Sequence, residues 1–245
     1  MPSRDGTSTP TNTGGTYSRL WLVLLLLALV VGPASLRIDL PAARWFAQNP
    51  ARGDLADGVQ IAEFFGHGLG VVLILVVVAT LDPKGRILLP RLATSSLGAG
   101  LVANVFKMLL ERHRPGTLDL NAAGLWNTFG DWLPLLSHGQ GMQSFPSAHT
   151  ATAAGLAVAL SAAYPRGRWL FVALCLGVGL QRMAVQAHFP SDVVYGGVVG
   201  AIWGIRCQVG LLGRWFDLIE ALWIRGPNAD PKSASPPSQG RSKVA

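Results

Sequence analysis

The 245-residue chain is 50% hydrophobic and only 13% charged, with a formal net charge of +7. Its apolar residues fall in long blocks broken by short polar stretches, which is a membrane-protein composition and excludes a soluble domain with charged faces at helical or strand period. The basic excess is neither clustered nor interleaved with aromatics, which excludes nucleic acid as a partner and favours the lipid bilayer, and two cysteines, Cys175 and Cys207, both inside apolar stretches, exclude a disulfide framework or a cysteine-rich metal site.

Residues 1–18 are rich in Gly, Ser, Thr and Pro and read as a disordered tail. Residues 19–225 read as one membrane domain with six candidate spans, at 20–36, 64–81, 88–110, 147–163, 169–187 and 192–212, judged against the ~20 residues that cross a bilayer. The first is also compatible with a signal peptide, since small residues Gly32 to Ser35 follow its apolar core, but its length favours an uncleaved anchor. Residues 37–63 mix apolar and charged side chains with Pro41 and Pro50 and predict a short interfacial helix, anchored by Trp45 and Phe46.

At the end of the third span, Lys107 and Arg114 are seven residues apart. On a continuous helix both cations share one face, ~10 Å from each other, with Pro115 ending the helix. A solvated helix end, with Glu111 pairing either cation, accounts for the same residues. Residues 116–143, with Trp126, Phe129, Trp132 and Leu133, are long enough for a lid or substrate rim.

Phe145-Pro146-Ser147-Ala148-His149-Thr150 opens the fourth span. A helix start presents unpaired N–H groups and the positive end of the dipole to an anion, Ser147 adds a hydroxyl, and His149 is placed to protonate a leaving oxygen. A plain helix cap with an interfacial histidine fits equally well.

The third constellation runs from Arg182, at the end of the fifth span, to His188 and Asp192. Pro190 marks a helix start, so Asp192 falls in the first turn and can accept a hydrogen bond from one nitrogen of His188, leaving the other free to attack phosphorus. Interfacial polar residues are the alternative, but ionisable groups near span ends are a functional signal in membranes. Residues 213–225, with Trp215, Phe216 and Trp223, read as a helix lying on the inner leaflet, and 226–245 as a second disordered tail. His67, His113 and His138 lack partners at ligand spacing and read as interfacial or loop residues.

With a cytoplasmic amino terminus, thirteen basic residues lie inside and seven outside, which satisfies the positive-inside rule and turns all three constellations away from the cytoplasm. Together they make a phosphoryl-transfer site: three cations, a helix amino terminus, a nucleophile with its orienting carboxylate, and an acid. No metal or other cofactor is required, because Lys107, Arg114 and Arg182 supply the charge that Mg²⁺ supplies in kinases.

These residues resemble the phosphatidic acid phosphatase type 2 superfamily of membrane lipid phosphatases, which is related to the vanadium haloperoxidases. The family pattern of Lys, six residues, Arg-Pro appears as Lys107 to Arg114-Pro115; Pro-Ser-Gly-His as Pro146-Ser147-Ala148-His149; and Ser-Arg, five residues, His, three residues, Asp as Gln181-Arg182 to His188 and Asp192. The resemblance implies an all-α, polytopic, six-transmembrane-helix bundle. It implies that His188 forms a phosphohistidine, Asp192 orients it and His149 protonates the leaving group, while Lys107, Arg114, Ser147, Ala148 and Arg182 hold the phosphate. Two positions depart from the pattern. Ala148 stands where the family has Gly, which matters if that backbone needs positive φ or a close approach to phosphate, and Gln181 stands where it has Ser.

The expected function is a membrane lipid phosphate or diphosphate phosphohydrolase. Phosphatidic acid, phosphatidylglycerol phosphate, a polyprenyl diphosphate and a lipid A type phosphate are the candidate substrates, and a phosphotransferase is a variant of the same mechanism. A non-catalytic lipid-phosphate binder or transporter is the alternative from another class. A haloperoxidase is disfavoured by the multiple spans.

Overall fold

The computed structural model of the chain describes residues 13–135 and 141–225. Most of the first tail, all of the second, and His138 lie outside the described residues.

Helix α1 (Thr13–Leu26) begins inside the stretch expected to be a tail. It runs through a π-helical turn (Leu27–Val31), α2 (Gly32–Ser35) and a 3₁₀ turn (Leu36–Ile38) into α3 (Asp39–Gln48). The first span and the expected interfacial helix are therefore one apolar rod, Arg19–Gln48, of 30 residues. Pro33 and Pro41 sit where the rod changes its winding, Pro33 just after the π-helical turn and Pro41 just after the 3₁₀ turn. A second helix, α4 (Asp54–Glu63), follows and meets α5 (Gly68–Leu81) at 72°.

The remaining helices are α6 (Gly85–Lys107), α7 (Ala148–Ala163), α8 (Arg168–Ala184), α9 (Pro190–Gln208) and α10 (Gly210–Arg225), with a bend of 51° between the last two. The molecule is mostly helical, as expected. A short non-helical ribbon lies between α6 and α7, where β1 (Leu110–Arg112) and β2 (Phe129–Trp132) run antiparallel. A helix lies on each of the six stretches expected to span. By length and composition, however, one qualifies as a crossing among the described residues, or up to three if each bent pair is a single span.

Helix α7 is the centre of the bundle, and its residues 150–157 are all buried. They are mostly Ala, Thr and Gly, and small residues let helix backbones approach closely where lipid offers no hydrophobic driving force. A Cβ added to Gly155 would run into the Ser95 carbonyl of α6, and one added to Gly200 of α9 into the Ala151 carbonyl. Phe65, Val71, Leu92, Leu156, Leu160 and Val178 fill the core among α5 to α8. Trp203 Nε1 donates to the Thr94 carbonyl at 2.8 Å and ties α9 to α6.

Outward, Leu22 and Leu25 on α1, Leu29 in the π-helical turn, Leu69, Leu73 and Val76 on α5, and Trp169, Leu170 and Leu176 on α8 are exposed. Apolar surface of this extent on several helices is a face for lipid rather than water, and the chain is a membrane protein. At the end of the bundle away from the three motifs, Arg91 of α6 pairs with Asp217 (2.5 Å) and Glu220 (2.6 Å) of α10, and Tyr164 donates to Asp82 at 2.6 Å.

Candidate active site

Helix α6 does not carry both cations of the first motif. It ends at Lys107, and Arg114 sits on extended backbone before the turn Pro115–Thr117. The expectation of one shared helix face is corrected for a local reason. The chain beyond Lys107 is extended and bonded on two sides: β1 pairs with β2, while Arg112 N donates to Met142 O at 3.0 Å and Ser144 N to Arg112 O at 3.0 Å. Lys107 is buried and, among the described residues, has neither a hydrogen-bond nor an ion-pair partner. Arg114 Nε is likewise buried without a hydrogen-bond partner. Two cationic side chains thus stand near one another, one of them with a buried donor that no hydrogen bond satisfies.

In the second motif, Ser147 is the N-cap of α7. Its Oγ accepts from Thr150 N at 3.4 Å and from Thr150 Oγ1 at 2.9 Å, so the cap reading holds while its own O–H stays available to donate. Ala148 is the first residue of α7 and lacks positive φ, so a methyl group is accommodated where the family has glycine. As first helical residue its N–H has no intrahelical acceptor.

His188 lies in the short connection between α8 and α9, and Asp192 in the first turn of α9, three residues after Phe189, which precedes Pro190. Both are buried, with Asp192 fully so. The two do not touch directly: His188 Nδ1 is 3.7 Å from Asp192 Oδ2. Ser144 Oγ stands beside both, donating to Asp192 Oδ2 at 2.6 Å and lying 3.4 Å from His188 Nδ1. With its one proton on Asp192, Ser144 offers Nδ1 a lone pair, and Asp192 offers another. Nδ1 therefore carries the hydrogen, which leaves the lone pair of Nε2 free, a tautomer assigned from these partners. Burial pushes the His188 imidazole below the ordinary histidine range; the Asp192 carboxylate pulls it up, and Lys107 and Arg114 push it further down.

Behind Asp192 stands Arg112, fully buried, which donates from Nη1 to Asp192 Oδ1 and from Nη2 to Asp39 Oδ2 at 2.6 Å. Its guanidinium lies 4.5 Å from the ring centroids of both Phe129 and Phe189. Asp39 accepts from Ser191 N at 2.9 Å and Ser191 Oγ at 2.6 Å.

On the other side, Glu63 joins the residues of the second and third motifs. Its Oε1 is 2.8 Å from Arg182 Nη2 and 3.7 Å from His149 Nε2, and its Oε2 accepts from Gln181 Nε2 at 3.0 Å. Gln181 Oε1 in turn accepts from Arg182 Nε at 2.5 Å. The amide that replaces the family's serine thus both donates and accepts within one chain of contacts. His67, read as an interfacial or loop residue without partners at ligand spacing, has its ring 5.7 Å from that of His149, and its Nδ1 accepts from Leu69 N. Beside His149 a groove of about 410 Å³ opens among Gly66, His67, Leu97, Leu101, Asn104 and Thr152.

The structure brings Lys107, Arg114, Ser147, His149, Arg182, His188 and Asp192 into electrostatic or hydrogen-bond reach of one another through these contacts. Sequence reasoning missed Asp39, Glu63, Ser144 and Ser191, and treated Arg112 only as a topological charge. The one signal available was Arg112 itself, an ionisable residue at a span end with no evident solvent role.

Comparison with known proteins bears on the family and the fold. The PAP2 superfamily model matches residues 89–214. The lipid A 1-phosphatase of Rhizobium johnstonii is 32% identical over 124 residues, 51% of this chain and 43% of its own. That of Rhizobium etli is 30% identical over 131 residues, 54% and 48% respectively. The chain thus spans about half the length of the curated relatives it matches. The crystal structure of a transmembrane PAP2 type phosphatidylglycerolphosphate phosphatase from Bacillus subtilis aligns at a TM-score of 0.51 and 18% identity, covering 82% of this chain and 96% of that one. This likeness is one of fold.

Proposed function

Because the chain belongs to the PAP2 superfamily, we propose that it is a membrane lipid phosphate phosphohydrolase that works through a phosphohistidine on His188 and needs no metal. Nε2 of His188 forms the N–P bond as the P–O bond to the lipid breaks, and His149 gives its proton to the departing oxygen. Water then attacks the phosphohistidine while His149 takes up a proton, releasing inorganic phosphate and restoring His188. Lys107, Arg114 and Arg182, with the Ser147 hydroxyl and the first N–H groups of α7, hold the non-bridging oxygens.

The observation that carries this reading is Ser144 Oγ at His188 Nδ1, with the Asp192 carboxylate close behind it, which leaves Nε2 unprotonated in a place where Lys107 and Arg114 supply positive charge. The groove beside His149 suits the leaving lipid, because exposed Leu97 and Leu101 open it sideways toward acyl chains. Among the candidate substrates we favour a lipid A type phosphate monoester; the names of the two Rhizobium relatives support it. The distribution of basic residues supports a site on the non-cytoplasmic face.

The test is phosphate release by detergent-purified protein from lipid A, phosphatidylglycerol phosphate, phosphatidic acid and a polyprenyl diphosphate, with EDTA present and His188→Ala as control. EDTA-resistant release that vanishes in the variant is the expected result. A parent protein that binds these lipids without turnover would instead be a lipid-phosphate binder.

A further inference from the structure

Three charged side chains from three distant segments meet in one cluster closed to solvent: Asp39 at the start of α3, Arg112 on β1 and Asp192 on α9, each fully buried. A buried charge is costly unless paired and hydrogen-bonded, and here every polar group of the cluster has its partner. Arg112 Nε lies 3.4 Å from Thr128 Oγ1, Nη1 donates to Asp192 and Ser191, and Nη2 donates to Asp39. The two oxygens of Asp192 are divided. Oδ1 is given to Arg112, whereas Oδ2 receives Ser144 Oγ and Phe189 N and faces His188.

That division has an electrostatic meaning. Attack by Nε2 leaves positive charge on the His188 ring, which Asp192 must offset. A lone guanidinium against Asp192 would cancel most of that negative charge. Asp39 takes up the other end of Arg112, so the cluster as a whole keeps one negative charge on the side of the histidine. We propose that Asp39 and Arg112 are positioning residues of the nucleophile, fixing through Asp192 both the aim and the charge presented to His188. Helix α3, which precedes the matched family region of residues 89–214, is then part of the reacting apparatus. The inference rests on the reading of His188 as nucleophile and is indifferent to which lipid is cleaved.

The groups facing His188 are Asp192 of α9, Ser144, Lys107 at the end of α6, Arg114 and, from α7, His149. Asp39→Asn removes a negative charge behind Asp192 and lowers the proton affinity of His188; Arg112→Gln removes a positive one and raises it. The measurement is the ¹⁵N-histidine spectrum of the full chain in detergent as a function of pH, with His188 identified by its loss in His188→Ala. Opposite displacements of the His188 titration in the two variants are expected. So is a kcat lower by roughly 10–100-fold, as when a functional histidine loses an outer partner, with KM nearly unchanged. If Arg112→Gln fails to fold, the direction in Asp39→Asn decides.

Displacements of the same sign, or none, would overturn the proposal, since general loosening moves both variants alike. If the displacements occur but the parent releases no phosphate from any lipid, the phosphatase reading fails and takes the nucleophile role with it, leaving only the electrostatic coupling of the cluster to His188. If the parent hydrolyses lipid and the displacements are absent, the reverse holds.

Discussion

In the proposed mechanism much of the chemistry depends on a single hydroxyl, that of Ser144. It occupies the gap between His188 and Asp192, which at 3.7 Å is too long for a direct hydrogen bond. A hydrogen bond to a charged group contributes about 1.5–3 kcal/mol, so Ser144→Ala is expected to lower the single-turnover phosphorylation rate roughly 10–100-fold, with little change in KM. Arg112 matters differently. Arg112→Met strands two buried carboxylates, and a loss of ~3–5 kcal/mol in denaturation midpoint experiments is expected. The pH dependence follows from His188. Its folded proton affinity is depressed, chiefly by burial, relative to an unfolded histidine near ~6.5. In the proposed mechanism the neutral ring is the reactive form. Stability from burying it is therefore fully present above the unfolded value and lost as pH falls through the folded one. The acid limb of kcat/KM is accordingly expected below ~6.5, and a limb above that value would contradict the assignment of the nucleophile.

At the level of elements, the tight contacts of α7 make specific demands on its neighbours. Gly200→Val forces a side chain against the Ala151 carbonyl, and overpacking of this kind costs about 1–3 kcal/mol, measurable as earlier thermal unfolding in detergent. Glu63 at the end of α4 is expected to act on binding: Glu63→Gln weakens its hold on Arg182 and Gln181 and should raise KM more than it lowers kcat. The helices were legible in the sequence because apolar runs, Pro146 and Pro190 mark their positions and starts. The motif residues were legible as types at spacings. Arg114 was misplaced because the reading extended α6 to Pro115, whereas main-chain pairing of residues 112 and 144 draws that stretch into a strand. Asp39 and Glu63 were illegible because their partners lie 152 and about 118 positions away, and no local periodicity records such a meeting. The bond from Trp203 to Thr94 was hidden for the same reason.

For the molecule as a whole, the excess of basic residues at one end predicts sidedness, which labelling can check. Native Cys207 is buried and Cys175 sits within apolar α8, so background reaction with a membrane-impermeant maleimide should be low. Leu133→Cys, on the exposed turn after β2, is expected to react in intact cells, and Ile224→Cys on α10 only after permeabilisation; the reverse pattern would invert the topology. The cluster around Arg112 also imposes an order in time. Asp39 is synthesised 152 residues before Ser191, so at ~5–20 residues per second a nascent chain waits ~8–30 s for the segment that shelters it. Throughout that interval its carboxylate must stay hydrated at the bilayer surface. The first rod can seat fully only when the last of its partners has left the ribosome, and the buried cluster is completed in the same event.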